Sequence, residues 1–374
     1  VTTYNTTQRA TKIYQTVVDV FNWDRSSDIV TPFEVALRQF DNIQTNAHIC
    51  VPGAGIGTYV LAAIVRGFNP CQITAVELDQ KYYELGSAMF ERFGVNYVFA
   101  DFLTWQPSME FDAIIGNPPY SDTRNVKGAT SGGCSKGLDN QFFEKSIEIA
   151  DRVSFIIRSK YFAKKSSVFR RKLFSSGKLV EITALSPSVF PTISLTETCI
   201  VTYDKGHRGP TRVTFQDGVV RDIVLESDTC IKLTNPDYQS DAPNNLAARH
   251  LMGEVGLNMM EGGECPMILT CNGKSKQIEV RLVADRFHVC GLNEHGVVMN
   301  RVYGGKGLGR VFVKPYDHSI SRSAVMLRTS SVEESERLRD YLLSEEVQDL
   351  VIKNKISNVH SKELFRTISD PLLN

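Results

Sequence analysis

Four short apolar runs punctuate the first third of the chain, and each stops at a polar or glycine-bearing corner. They occupy residues 48–52, 73–77, 97–101 and 111–116. Between the first two, Tyr59-Val-Leu-Ala-Ala-Ile-Val65 has the composition of a helix packed in a core. Apolar runs alternating with helical stretches predict an α/β domain with a mainly parallel sheet, continuing to about Tyr203. Ahead of it, residues 31–40 predict a helix. Residues 1–27 read as mostly helical, with Tyr14, Val17, Val18, Val20 and Phe21 on one side.

The pattern changes at Asp204-Lys-Gly-His-Arg-Gly-Pro210, a turn-rich stretch that reads as a boundary. Beyond it come short predicted strands at 212–215, 219–225, 230–233, 267–270, 277–283 and 287–290. A helix is predicted at 246–255. Two terminal helices follow at 331–343 and 344–353, with Leu338, Leu342, Val347, Leu350 and Val351 as their buried stripe. The expected organisation is therefore 1–205 and 206–374. Residues 121–139 interrupt the first region with a polar, Gly/Ser-rich, basic segment, and a loop of that length inside a compact domain predicts a functional role.

The corners carry the candidate chemistry. The first run opens into Val51-Pro52-Gly53-Ala54-Gly55-Ile56-Gly57 and then the helix, an arrangement in which glycines let backbone approach a nucleotide-like ligand. The second run ends in Glu77, followed by Leu78. Glu77 stands 22 residues after Gly55, near the offset of about 20 expected for an acid gripping ribose hydroxyls. The third run delivers Asp101 and Phe102, an acceptor and a ring at a strand's carboxyl end. The fourth delivers Asn117-Pro118-Pro119-Tyr120. There Asn117 offers a side-chain oxygen, Pro118 a backbone carbonyl, and Tyr120 a face for a flat heterocycle. Two acceptors on one exocyclic amine aim its lone pair outward for attack on a methyl donor.

Together the Gly loop, Glu77, Asp101-Phe102 and Asn117–Tyr120 resemble the S-adenosylmethionine-dependent DNA adenine-N6 methyltransferases, in the gamma-class order of Gly loop, reactive tetrapeptide and long C-terminal remainder. The implied fold is α/β: a Rossmann-like methyltransferase sheet with a C-terminal mixed α+β target-recognition domain. The resemblance implies catalysis by Asn117, Pro118, Pro119 and Tyr120. It implies S-adenosylmethionine held by Pro52, Gly53, Ala54, Gly55, Gly57, Glu77, Leu78, Asp101, Phe102 and Asn117. Thr31-Pro32 is similar to the stretch contacting the methionine end of that cofactor. Residues 140–150, 152–162 and 196–202 resemble the helix, the strand and the last strand that follow the tetrapeptide. The family's acid before the loop proline is replaced here by Val51, which removes any water-mediated cofactor contact from that position.

The formal net charge of zero conceals a pattern. Residues 1–120 hold 7 Lys+Arg against 12 Asp+Glu, residues 121–210 hold 15 against 8, and the rest hold 20 against 22. Nine basic residues and no acid lie between Arg152 and Val180. A basic block interleaved with aromatics predicts a phosphate-facing surface, with Lys160, Lys164, Lys165, Arg170, Arg171 and Lys172 as contacts. Lys306 and Arg310, in a second Gly-rich loop, are candidates for base reading. Double-stranded DNA is the expected partner, a cognate restriction endonuclease is left open as another, and a monomer is expected. The eight cysteines form no C-x2-C pair, so neither disulfides nor a metal are expected. No apolar run approaches the ~18–20 residues of a membrane span, and a cytoplasmic protein is expected. An RNA adenine or protein glutamine methyltransferase is the alternative, with a non-catalytic DNA-binding subunit behind it. The basic block and large remainder argue against a glutamine amide as substrate.

Overall fold

The computed structural model describes residues 30–120, 137–190 and 197–238, a few positions between 8 and 15, and most of 240–373 apart from 241, 243, 253–264, 273–276, 284–289, 302, 304–306 and 355–361. The expectations for most of the leading helical region, for the 121–139 segment up to 136, for a strand at 287–290 and for Lys306 lie outside those residues.

The chain divides into two compact units, residues 1–162 with 166–229, and residues 163–165 with 230–374. The first is built on a nine-stranded sheet in the order β3-β2-β1-β4-β5-β7-β6-β8-β9. Its strands are β1 (Ile49–Pro52), β2 (Ile73–Glu77), β3 (Asn96–Phe99), β4 (Phe111–Gly116), β5 (Ala150–Arg158), β6 (Leu179–Ala184), β7 (Thr198–Asp204), β8 (Thr211–Thr214) and β9 (Val220–Ile223). β1 to β5 pair in parallel, while β7 runs antiparallel between β5 and β6. This is the expected Rossmann-like methyltransferase sheet, widened by the β8–β9 hairpin.

The order reverses between β1 and β4. In doubly wound sheets that switch point opens the ligand crevice at the strands' carboxyl ends. The expected runs became strands because both faces are covered: every residue of β1 is buried, as is nearly all of β4. Ile49, Val51, Ala75, Ala113 and Ile115 pack with Val60, Leu61 and Ile64 of α2 (Thr58–Val65), and with Ala36 and Phe40 in and beyond α1 (Phe33–Arg38). α3 (Gln80–Phe90) starts on Asp79, whose carboxylate accepts from the amides of Lys81 and Tyr82.

The compact division falls after Thr229 instead of after residue 205. The turn at 204–210 does not end the sheet, because β8 leaves it to pair with β6, Ile182 opposite Val213. Pairing across the sheet outweighs the local turn signal.

The second unit has a four-stranded sheet, β10-β16-β13-β14, and a three-stranded one, β12-β11-β15. Its strands are β10 (His250–Met252), β11 (Cys265–Asn272), β12 (Gln277–Val283), β13 (His295–Asn300), β14 (Phe312–Val313), β15 (Ser319–Ile320) and β16 (Ala324–Thr329). Two sequence expectations fail here. Residues 230–233 form no strand; Lys232 and Asn235 close a tight bridge. Residues 246–252, the described part of the expected 246–255 helix, form no α-helix: one 3₁₀ turn, Leu246–Arg249, gives way to β10 paired with β16. Gly253 would have cost that helix about 1 kcal/mol, and strand pairing takes residues 250–252 instead. The terminal helices appear at Val332–Leu343 and Glu345–Asn354, and Leu338, Leu342, Val347 and Val351 enter the core as expected.

Candidate active site

The corners converge at the carboxyl ends of β1, β2, β3 and β4. Gly53, Gly55 and Gly57 all take the left-handed backbone (φ 61°, 54° and 89°). A Cβ on Gly55 would meet nothing within 4 Å, so the loop presents bare backbone to open space there. Gly57 has a different reason: a Cβ would strike the Phe90 ring at 2.4 Å, so α2 can approach α3 only without a side chain. Glu77, largely buried at the end of β2, fixes the loop. One carboxylate oxygen accepts from the Gly55 amide at 2.7 Å, and the other accepts from Leu78 and Asp79 at 2.8 Å each. A carboxylate oxygen has two lone pairs, so the one on Gly55 retains an acceptor site beside the open loop. That acceptor fits the hydroxyls of a ribose, and the exposed Leu78 side chain beside it fits a flat ring.

After β3, Asp101 closes a turn, accepting from the Leu103 amide through its side chain and from Trp105 through its carbonyl. Phe102 is buried, its ring 5.1 Å from that of Phe142 and 6.5 Å from Trp105. It supports the site from beneath; the expectation that its ring lies against the cofactor gives way to a packing role. A further residue, not anticipated from sequence, holds this turn. Lys145 of α4 (Leu138–Ile149) donates to the carbonyls of Leu103 and Trp105 and lies 5.2 Å from the Phe102 ring centroid. Burial lowers its pKa, opposed by Asp101. Val51 is fully buried in β1, facing the core.

The reactive corner follows β4 directly. Asn117 donates through Nδ2 to the Thr31 hydroxyl at 3.0 Å and accepts through Oδ1 from the Tyr120 hydroxyl at 2.5 Å. Tyr120 is half-buried beside Ile156, Leu185, Phe190 and Val35. Burial, then Tyr59, Asp139 and Cys199, push its hydroxyl well above the usual tyrosine range, against the pull of Arg158. Pro32 precedes α1 and Pro52 closes β1, its carbonyl 3.3 Å from where a Cβ on Gly116 would stand.

The basic block does not lie wholly on the surface. Arg158 is buried and forms a two-point ion pair with Asp139, at 2.7 and 3.0 Å, with the Tyr161 hydroxyl on the same carboxylate. Arg170 is completely buried, its guanidinium donating to the Thr229 carbonyl and lying over Phe174. The expectation of Arg170 as a phosphate contact is corrected to an internal brace. Its neighbours phenylalanines 169 and 174 bury one face of α5 (Val168–Phe174), and Arg170 falls on that face. Arg171 and Lys172 are exposed, the latter 3.7 Å from Glu144. Lys160, Lys164 and Lys165 are half-buried, and Lys160 lies over the Tyr161 ring. In the second unit Arg310 is exposed, while the adjoining Leu308 is buried and its amide is held by Gln348. Among the described residues no cluster of His, Cys, Asp or Glu could hold a metal ion, and no helix is long and apolar enough to cross a membrane.

Fold and site define the class: an S-adenosylmethionine-dependent methyltransferase fold, with S-adenosylmethionine as the cofactor it takes. The chain is related to restriction-modification and tRNA methyltransferases. Residues 72–190 match the family model of the Eco57I restriction-modification methylase. The type II methyltransferase M.VspI of Vibrio sp. (strain 343) is 28% identical over 170 residues, covering 41% of this chain and 42% of that protein. The tRNA1(Val) (adenine(37)-N6)-methyltransferase of Aliivibrio fischeri (strain MJ11) is 31% identical over 120 residues, covering 30% of this chain and 50% of that one. The matches thus span half or less of each relative. The type I restriction-modification system methyltransferase subunit from Streptococcus thermophilus superposes with a TM-score of 0.42 at 16% identity, over 55% of this chain and 52% of that chain.

Proposed function

We propose that the chain is a site-specific DNA adenine-N6 methyltransferase acting on an adenine turned out of the duplex. The observation that carries the reading is the orientation of Asn117. Its Nδ2 is committed to Thr31, and Oδ1, which already accepts from the Tyr120 hydroxyl, keeps its second lone pair for an incoming amine. When bound, S-adenosylmethionine supplies an electrophilic methyl group. Asn117 Oδ1 and the Pro118 carbonyl accept the two hydrogens of the adenine amine, which raises electron density on N6 and fixes the direction of its lone pair. Because those acceptors are preorganised, they match the positive charge that develops on N6 without reorganising. Tyr120 supplies a stacking face, and the unstacked base must reach it outside the helix. Glu77, the glycines 53, 55 and 57, Leu78 and Asp101 hold the cofactor, with Thr31 and Pro32 towards its methionine end.

The second unit, from residue 230 onward, would choose the sequence, with Arg310 and Lys306 as base-reading candidates, while Arg171 and Lys172 serve as general phosphate contacts. Expression in a methylation-deficient host, followed by mapping of methylated adenines in plasmid DNA, tests the reading. Methylated adenines in one sequence context, lost with Asn117→Ala, are expected; unmodified DNA from the wild type would refute it. The relationship to a tRNA adenine methyltransferase favours one second reading, an RNA adenine substrate. Incubating the protein with tRNA and labelled cofactor separates the two.

A further inference from the structure

The turn after β3 spends its amides on Asp101. Leu103 donates to Asp101 Oδ1 at 2.9 Å, and Thr104 and Trp105 donate to the Asp101 carbonyl at 3.1 and 2.8 Å. The carbonyls of Leu103 and Trp105 find their donor elsewhere, on the Lys145 ammonium of α4, the first of them at 3.2 Å. The Phe102 ring lies 5.2 Å from that ammonium and 5.1 Å from the ring of Phe142, three residues earlier on the same helix. The turn is thus gripped through its carbonyls and through its amides. One atom stays open: Asp101 Oδ2 takes part in no hydrogen bond among the described residues, on a side chain that is half-buried.

Asp101 stands next to the other acid corner. β2 and β3 pair in parallel with Glu77 opposite Phe99, and the Ala100 amide extends the pairing by donating to the Glu77 carbonyl at 3.0 Å. An ionised carboxylate can only accept. Glu77 offers an acceptor to the ribose hydroxyls, and on the base beyond that ribose the exocyclic amine is the donor group. Replacing that amine by a carbonyl would set oxygen against oxygen with no hydrogen between them.

We propose that Lys145 is a positioning residue for cofactor selection: by bracing the turn from α4, it holds the Asp101 carboxylate where it accepts from the adenine amine of the cofactor and disfavours a base with a carbonyl there. The same helix touches the Gly loop, since a Cβ on Gly53 would stand 4.0 Å from the Phe142 ring. One helix therefore supports two parts of the cofactor crevice. The inference rests on the reading of Asp101 as a cofactor contact.

The test titrates the full chain calorimetrically with S-adenosylhomocysteine and with S-inosylhomocysteine, which differ at that amine, and needs no nucleic acid. The wild type is expected to bind the adenosyl form roughly 10- to 100-fold more tightly, the scale of one hydrogen bond to a charged group. Lys145→Met and Lys145→Ala, both of which remove the ammonium, should lower that ratio several-fold; a merely structural loss would weaken both ligands alike and leave the ratio intact. In Asp101→Ala the ratio should fall close to one, and adding Lys145→Met should change it no further, because the lysine acts through Asp101. Exchange of the Thr104 and Trp105 amides in the ligand-free protein should quicken in Lys145→Met. A wild-type ratio in either folded Lys145 variant, or unchanged amide exchange, would overturn the inference. A wild type that binds both ligands equally would overturn the reading of Asp101 and the inference with it. Neither measurement depends on which nucleic acid is methylated, so a failure of the DNA reading is seen separately.

Discussion

The Tyr120 hydroxyl and the Asn117 carboxamide oxygen lie 2.5 Å apart, one donating to the other within the same tetrapeptide. Tyr120 thus has two separable properties, a ring face and a hydroxyl that shares the oxygen proposed to accept the target amine. Tyr120→Phe should keep the ring and release that oxygen, leaving kcat within a few-fold of wild type. Tyr120→Ala should lose about 1–3 kcal/mol of base stacking, seen as weaker binding of an unpaired adenine. Steady-state kinetics on both variants checks the separation; a Phe variant as impaired as the Ala variant would assign the role to the hydroxyl.

Glu77 joins the Gly loop to the start of α3 through three backbone amides. Glu77→Ala would leave those amides without an acceptor, at about 1–3 kcal/mol for each one kept from water. The expected result is weakened cofactor binding together with a lowered unfolding midpoint, while affinity for DNA changes little. Calorimetric titration with cofactor, alongside a DNA-binding titration, gives the comparison. Unaltered cofactor affinity would move the ribose contact elsewhere.

Arg170 and Arg171 are adjacent in sequence and opposite in exposure. Arg170→Ala removes a buried guanidinium with its packing and should cost about 2–4 kcal/mol of stability, without altering the salt dependence of DNA binding. Arg171→Glu with Lys172→Glu should leave the melting temperature nearly unchanged and lower the slope of log affinity against log salt by about one for each phosphate no longer neutralised. Melting curves and binding at several salt concentrations separate the two. An altered methylation motif in the second variant would contradict a phosphate role.

Lys314 in the second unit is almost fully enclosed, its ammonium donating to the carbonyls of Pro315 and His318 at 2.6 Å each and of Tyr316 at 3.3 Å. Burial pushes its pKa down to about 8, against the opposing pull of Glu294 and Asp317. Between that value and the ordinary lysine value, the unfolded chain binds the proton that the folded one has released. The unfolded state then holds more protons, so this group's contribution to stability rises with pH across the window. The difference in melting temperature between wild type and Lys314→Met, followed from pH 7.5 to about 10.5, should show that rise. A flat difference would place the lysine's pKa at its ordinary value.

The parallel strands of the first unit were legible because each apolar run was brief and ended in a corner of distinctive chemistry. In the second unit the central strands β13 and β16 were not read. Val297, Val298 and Met299 are all buried, as are residues 324–327, because one core packs on each face of that sheet. Such strands lose their alternation, and periodicity alone cannot separate them from a buried helix. The site was legible where a motif carried it and illegible where geometry did. Lys145 is an ordinary helical residue in sequence, and only the packing of α4 brings it to the turn at Asp101. Arg158 and Arg170 read as surface charge because sequence shows the sign of a side chain and not the direction it faces.

Lys145 fastens α4, the first described helix after the reactive corner, to the turn that carries Asp101. One ammonium grips two carbonyls across 40 and more residues of chain, so the shape of the turn at Asp101 depends on a side chain that lies far from it in sequence.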